Sequence, residues 1–161
     1  DPIDAWLPSR SPFARLGAAR KHHLADPALA ARALDLTTER LLGGVDAPAA
    51  VRPDGSLLGG LFESLVALSV RTFAQAADAR TFHLRADGGR HEVDLIVERH
   101  DRVLAIEAKL GAVDDGDVRH LRWLRDRLGD RVLDAVVINT GREAYRRPDG
   151  VAVIPLALLG P

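Results

Sequence analysis

Three ionisable residues stand where the sequence predicts a β-hairpin. Asp94 precedes and Glu107 and Lys109 follow a short polar turn at His100 and Asp101. A tight turn at this point places Asp94 directly opposite Glu107 on the neighbouring strand. Two carboxylates brought together in this way suit a divalent cation, because magnesium prefers hard oxygen ligands.

Alternation along the two strands separates the hairpin into an apolar and a more polar face. The apolar set contains Val93, Leu95, Val97, Leu104, Ile106, Ala108 and Leu110. The other set contains Glu92, Asp94, Ile96, Ala105, Glu107 and Lys109. A shift of register by one residue would bury the carboxylates, so the apolar set is expected to fix the pairing.

The predicted pairing of Asp94 with Glu107 brings like charges to within about 5 Å between Cβ atoms. A divalent cation would offset this repulsion. A local charge network is the alternative, since Glu92 falls opposite Lys109 in the same register. If the repulsion dominates, Asp94→Asn is expected to stabilise the metal-free protein by about 0.5–1 kcal/mol.

A helix predicted at residues 57–77 carries a single acidic residue, Glu63. Its neighbours at helical spacing are small or apolar: Gly59, Gly60, Val66, Ala67 and Val70. A carboxylate in such surroundings is costly unless something binds it. Glu63 is therefore a candidate to complete the metal site, the alternatives being an ordinary surface position or a pair with a distant arginine.

Composition limits the classes of protein to be considered. The 161 residues include no cysteine, which excludes disulfides and thiolate chemistry and fits a cytoplasmic location. No run approaches 18 consecutive apolar residues, so no membrane segment is predicted. The formal net charge of −1 means that contact with nucleic acid must come from a local basic patch. Only Lys21 and Lys109 are lysines among the 22 basic residues, which indicates that a compact ammonium is needed at these positions.

The pattern along the chain predicts a lead-in segment at residues 1–55 followed by one domain at residues 56–161. The lead-in is expected to contain two short strands, a helix and a linker near residues 43–55. After the first long helix, the domain is expected to hold strands at 81–85, 91–99 and 102–110, a helix at 115–128, and strands at 133–139 and 151–156. This order predicts an α/β fold with a mixed central β-sheet flanked by α-helices.

Several of these motifs together resemble a known family. The runs LGGLFE at 58–63, HEVD at 91–94 and IEAK at 106–109 resemble the C-terminal domain of unknown function that follows an AAA-type ATPase domain in many prokaryotic ATP-binding proteins. The run RKHHLADPAL at 20–29 resembles the strand and helix that lead into that domain from a winged-helix region. That family in turn resembles the PD-(D/E)xK nuclease superfamily, which implies a restriction-endonuclease-like fold.

The resemblance implies metal-dependent hydrolysis of nucleic acid and a role for each matching residue. Asp94, Glu107 and the backbone carbonyl of Ala108 would hold Mg²⁺ or Mn²⁺, Lys109 would stabilise developing charge, and Glu63 would be the helical carboxylate. The implied partners are nucleic acid and an AAA-type ATPase domain. Two alternatives stay open: a non-catalytic module for nucleic-acid binding or ATPase docking with a vestigial site, and an interaction domain whose sheet face is merely charged.

Overall fold

The computed structural model describes residues 1–8, 18–41 and 56–160. Its strands are β1 (Pro2–Ile3), β2 (Lys21–His22), β3 (Arg80–Ala86), β4 (His91–Arg99), β5 (Arg102–Lys109), β6 (Val132–Asn139), β7 (Tyr145–Arg146) and β8 (Ala152–Pro155). Its α-helices are α1 (Pro27–Ala33), α2 (Thr38–Leu41), α3 (Ser56–Ala76) and α4 (Arg119–Leu128). Short 3₁₀ turns occupy Asp87–Gly89, Gly129–Arg131 and Leu156–Leu158.

The central sheet has six strands in the order β3-β4-β5-β6-β8-β7. Strands β3, β4 and β5 form an antiparallel meander, whereas β5, β6 and β8 run parallel and β7 closes the edge in the antiparallel sense. Helix α4 lies in the connection from β5 to the parallel strand β6, as parallel strands require a crossover. The predicted α/β fold with a mixed central sheet is confirmed.

The β4–β5 hairpin has the predicted register. Its pairs run from Arg99 with Arg102 back to Leu95 with Ile106. The two turn residues have positive φ angles of 49° and 63°, which match the right-handed twist of the strands they join. A polar two-residue turn between two segments of alternating apolar and polar residues was therefore sufficient to predict the register of this hairpin.

Both faces of the hairpin are buried, one under each long helix. Helix α3 packs on the face that carries Leu95 and Ile106, and α4 packs on the face that carries Ile96 and Ala105. All four side chains have at most 3% of their surface exposed. The hairpin is therefore not part of a half-exposed sheet whose outer face carries charges that pair in solvent.

Strand β4 contains a register shift at the position of the candidate site. Its pairing with β3 goes from Phe82–Ile96 to Leu84–Val93, so three steps along β4 match two along β3. Val93 consequently packs in the same cluster as Ile96 rather than on the apolar face predicted for it. Such a shift interrupts regular alternation and can re-aim a side chain, and here the interrupted stretch includes Asp94.

The described part of the lead-in segment packs into the domain. Ile3 and Trp6 are buried, and the Trp6 Nε1 group donates a hydrogen bond to the Glu98 side chain over 3.0 Å. Ala5 forms a parallel bridge with His83 of β3. The predicted linker at 43–55 lies outside the described residues, and the domain boundary at 55 stays a prediction.

Helix α3 is long and apolar enough, by length and composition alone, to cross a membrane: its Leu57–Ala76 window has a mean hydropathy of 1.4. In this structure it packs along the sheet and buries Val66, Ala67 and Val70. The core helix of a globular domain has the same length and composition, so this helix gives little support to a membrane segment.

Helix α4 starts four residues later than predicted. Asp114 and Asp117 each accept a hydrogen bond from the other's backbone N–H group over 3.0 Å, which holds the preceding segment in a turn. Aspartate side chains commonly compete with helical backbone bonding in this way. The predicted end is confirmed, since Gly129 follows the helix with a φ angle of 54°.

Candidate active site

The candidate site lies where the β4–β5 hairpin opens. Regular pairing ends at Leu95 and Ile106, and beyond that pair the Asp94 Oδ2 atom accepts a hydrogen bond from the Ala108 N–H group over 3.0 Å. A side-chain carboxylate thus replaces a backbone carbonyl as the acceptor for β5. Strand β5 continues its parallel pairing with β6 as far as Lys109.

A lysine from the lead-in segment joins this opening to helix α3. The Lys21 ammonium lies 2.9 Å from Asp94 Oδ1 and also contacts Glu63 Oε1. The side chain of Glu63 is about one quarter exposed, and its Oε1 atom is buried. The structure therefore brings Glu63 and Asp94 together around a single positive charge.

Glu107 lies beside Asp94 and is almost wholly buried, with 6% of its surface exposed. Burial, the negative charge of Asp94 and a hydrogen bond shared with the Asp94 side chain together raise the pKa of Glu107 to about 10. At neutral pH the Glu107 carboxyl group therefore carries a proton, which it can share with its neighbour.

The other two carboxyl groups and Lys21 form a charged set. Burial opposes ionisation of Asp94, but the Lys21 ammonium and hydrogen bonds from Glu107 and the Ala108 N–H group lower its pKa. Burial and the charge of Asp94 raise the pKa of Glu63, with Lys21 acting against them. Burial also disfavours the charged form of Lys21, but the two carboxylates outweigh it and raise its pKa. Lys21 and the proton on Glu107 thus relieve the repulsion expected between the facing carboxylates.

The fourth predicted residue, Lys109, stands at the outer side of this cluster. Its ammonium is 3.7 Å from Asp117 Oδ1, and its side chain is 38% exposed. Its positive charge acts to lower the pKa of Glu107. The predicted interaction of Lys109 with Glu92 is not formed, because Glu92 instead accepts a hydrogen bond of 2.6 Å from Arg85 on the neighbouring strand β3.

The segment after Lys109 is fixed by a buried asparagine. Asn139 donates from Nδ2 to the Gly111 carbonyl over 3.0 Å and accepts at Oδ1 from the Gly141 N–H group over 3.1 Å. The Thr140 hydroxyl oxygen accepts a hydrogen bond from the Gly111 N–H group. These bonds tie the ends of β5 and β6 together next to the site.

We expect Asn139→Ala to lower the free energy of unfolding by about 1–2 kcal/mol, since two hydrogen bonds are lost and the Gly111 and Gly141 backbone groups lose their partner. Urea denaturation measures this change. Arg142→Ala, in the exposed segment that follows, is the matched control and should leave stability within about 0.5 kcal/mol of wild type. An Asn139→Ala protein as stable as this control would contradict the role given to Asn139.

The donor atoms of the predicted metal set suit magnesium or manganese. Asp94 and Glu107 supply carboxylate oxygens and Ala108 a carbonyl oxygen, which are the ligand types that hard divalent cations take. The Lys21 ammonium shows that a positive charge is accommodated between Glu63 and Asp94. In the described part of the chain, no group of three or more histidine, aspartate or glutamate side chains is arranged to hold a metal by itself. The predicted set differs from such a group because it uses two side chains and one backbone carbonyl.

Lys21 was noted in the sequence for its rarity but was not predicted to belong to the site. It lies 73 positions from Asp94 along the chain, so neither strand alternation nor helical spacing connects the two. Its rarity pointed in the right direction, because the only two lysines of the sequence, Lys21 and Lys109, both act to lower the pKa of Glu107.

These features define an α/β domain with a carboxyl and lysine cluster at the opened end of a sheet hairpin. The family model described as Domain of unknown function (DUF4143) matches residues 58–159, and the chain belongs to this family. The matched range contains Glu63, Asp94, Glu107 and Lys109, whereas Lys21 precedes it. No match was found among curated proteins.

Proposed function

We propose that this domain is a metal-dependent phosphodiester hydrolase that acts on nucleic acid as the C-terminal part of an AAA-type ATPase. The observation that carries the proposal is the convergence of Glu63, Asp94 and Glu107 on one point, with Lys109 at its outer side. Perturbed carboxyl pKa values at such a point are typical of functional sites. The restriction-endonuclease-like relationship implied by the sequence motifs gives the same function.

In this mechanism each residue has a distinct task. The Ala108 N–H group orients Asp94, whose Oδ1 atom contacts the Lys21 ammonium and would contact the metal in its place. Glu107 would hold the cation as a carboxylate, and its proton would pass to solvent. Bound Mg²⁺ or Mn²⁺ would lower the pKa of a water molecule and polarise a phosphate oxygen. Lys109 is exposed enough to meet the negative charge that develops on the phosphate.

A basic cleft beside the site supports a polyanionic substrate. It has a volume of about 290 Å³, and its lining includes three cationic side chains and one carboxylate: Arg20, Lys21, Arg85 and Glu92. Arg20 pairs with Asp4, and Arg85 pairs with Glu92. These are exposed ion pairs of the kind that contribute little to stability, so phosphate groups can replace the carboxylates at low cost. Such a cleft is the local patch that a chain of net charge −1 needs to bind nucleic acid.

The strongest rival is a non-catalytic module for nucleic-acid binding or ATPase docking that keeps a vestigial site. The observation in its favour is that Lys21 and the proton on Glu107 already satisfy the cluster without a metal. An interaction domain with a merely charged sheet face is less well supported, because both faces of the hairpin are buried.

A cleavage assay separates these possibilities. Wild-type protein is expected to cut plasmid DNA, single-stranded DNA or RNA only when Mg²⁺ or Mn²⁺ is present. Lys109→Ala should lower the rate at least about 100-fold, since it removes a charge that stabilises the transition state. Arg99→Ala, at the far end of the same hairpin, is the matched control and should cut at the wild-type rate. Metal-independent cutting, or full activity of Lys109→Ala, would contradict the mechanism, and binding without any cutting would favour the non-catalytic module.

A further inference from the structure

We infer that Lys21 is a built-in competitor for the divalent cation. Its ammonium occupies the position at Asp94 Oδ1 that a metal would take, and metal binds only after this side chain has left. The inference rests on the proposed metal site and adds a residue from outside the range that matches the family.

The arrangement around Asp94 leaves little choice of position for a cation. Its Oδ2 atom already accepts the Ala108 N–H group, so Oδ1 is the oxygen without a backbone donor, and Oδ1 is the atom that Lys21 contacts. The same ammonium contacts Glu63, a second carboxyl group of the cluster. The Lys21 ammonium thus contacts the carboxylate oxygens that a metal ion would contact. A metal ion and an ammonium at this point would repel each other strongly.

Lys21 can leave without a rearrangement of the fold. Its backbone is held by pairing with Ile3 in the small β1–β2 sheet, but its side chain is 32% exposed. The same side chain lines the cleft of about 290 Å³ beside the site. A flexible four-carbon stem lets the ammonium turn from Asp94 towards that cleft while the main chain stays in place.

The test is to measure Mn²⁺ binding by calorimetry at neutral pH for the wild type and three variants of the full chain. Lys21→Met removes the charge at nearly constant length, and Lys21→Gln keeps a hydrogen-bond donor for Asp94. Arg20→Met is the matched control, because it removes a neighbouring positive charge that lines the same cleft but pairs with Asp4. We expect both Lys21 variants to bind Mn²⁺ at least about tenfold more tightly than wild type, as expected for removal of a charge in contact with a ligand group. Arg20→Met should stay within about twofold of wild type, since its charge is exposed and screened.

Melting curves with and without Mn²⁺ complete the test. They measure metal binding through the melting temperature, even for a variant that folds poorly without metal. Lys21→Met should melt at a lower temperature than wild type without metal and should gain more from Mn²⁺. Lys21 variants that bind Mn²⁺ no more tightly than wild type would overturn the inference while leaving the metal site intact. If none of the four proteins binds Mn²⁺, the metal site is absent, and the proposed function fails together with the inference.

Discussion

Glu107→Gln is expected to stabilise the protein, and the gain should be far larger at about pH 9 than at about pH 5. The pKa of Glu107 rises from an ordinary value of 4.5 to about 10, first because the group is buried and second because Asp94 is negatively charged. The folded protein therefore holds a proton in this range of pH that the unfolded chain has released. The stability due to Glu107 is fully present below about pH 4.5 and is lost as the pH rises towards 10. Glutamine resembles the protonated carboxyl group, so the variant does not lose this stability as the pH rises.

Denaturation in urea at several pH values measures this difference. If Glu107 dominates, the free energy of unfolding of the wild type should fall with pH by up to about 1.4 kcal/mol per unit. Glu107→Gln should flatten the curve. Glu143→Gln, in the exposed segment between β6 and β7, is the matched control and should follow the wild-type curve. Parallel curves for wild type and Glu107→Gln would contradict the protonated state given to Glu107.

The parts of the fold that could be predicted depend on signals that are local in the chain. The turn at His100 and Asp101 and the apolar alternation around it gave the β4–β5 register, which the structure confirms from Leu95 to Arg99. The 3.6-residue period of α3 gave that helix within one residue at each end. In both cases the pattern of residues close together in the sequence was sufficient for the prediction.

The parts that could not be predicted depend on contacts between distant segments. Alternation assumed a regular strand, and the register shift between β3 and β4 moved Val93 to the other face. Pairing within the hairpin placed Lys109 opposite Glu92, but β3 supplied Arg85 as a closer partner. Lys21 reaches the site through the packing of the lead-in segment, which no periodicity in the sequence encodes.

Asp94→Asn is expected to destabilise the metal-free protein by about 2 kcal/mol, since it removes the charge that holds Lys21 and weakens the acceptor for the Ala108 N–H group. This reverses the expectation from the sequence. Like charges facing each other would make the substitution stabilising, but the raised pKa of Glu107 keeps that group neutral near pH 7, and the Lys21 ammonium contacts Asp94. Asp26→Asn, which keeps an acceptor for the N-terminal N–H groups of α1, is the matched control and should change stability by less than about 0.5 kcal/mol.

The most direct test of whether this cluster is a divalent-cation site is to melt wild type and Asp94→Asn with and without about 10 mM MnCl₂. This concentration exceeds the dissociation constant expected of a weak carboxylate site. A ligand at tenfold excess over its dissociation constant stabilises the folded state by about 1.4 kcal/mol, which raises the melting temperature of a chain of this size by about 3–6 °C. The account predicts a rise of this size for the wild type and none for Asp94→Asn. A wild type whose melting temperature does not respond to Mn²⁺ or Mg²⁺, or an equal rise in both proteins, would contradict it.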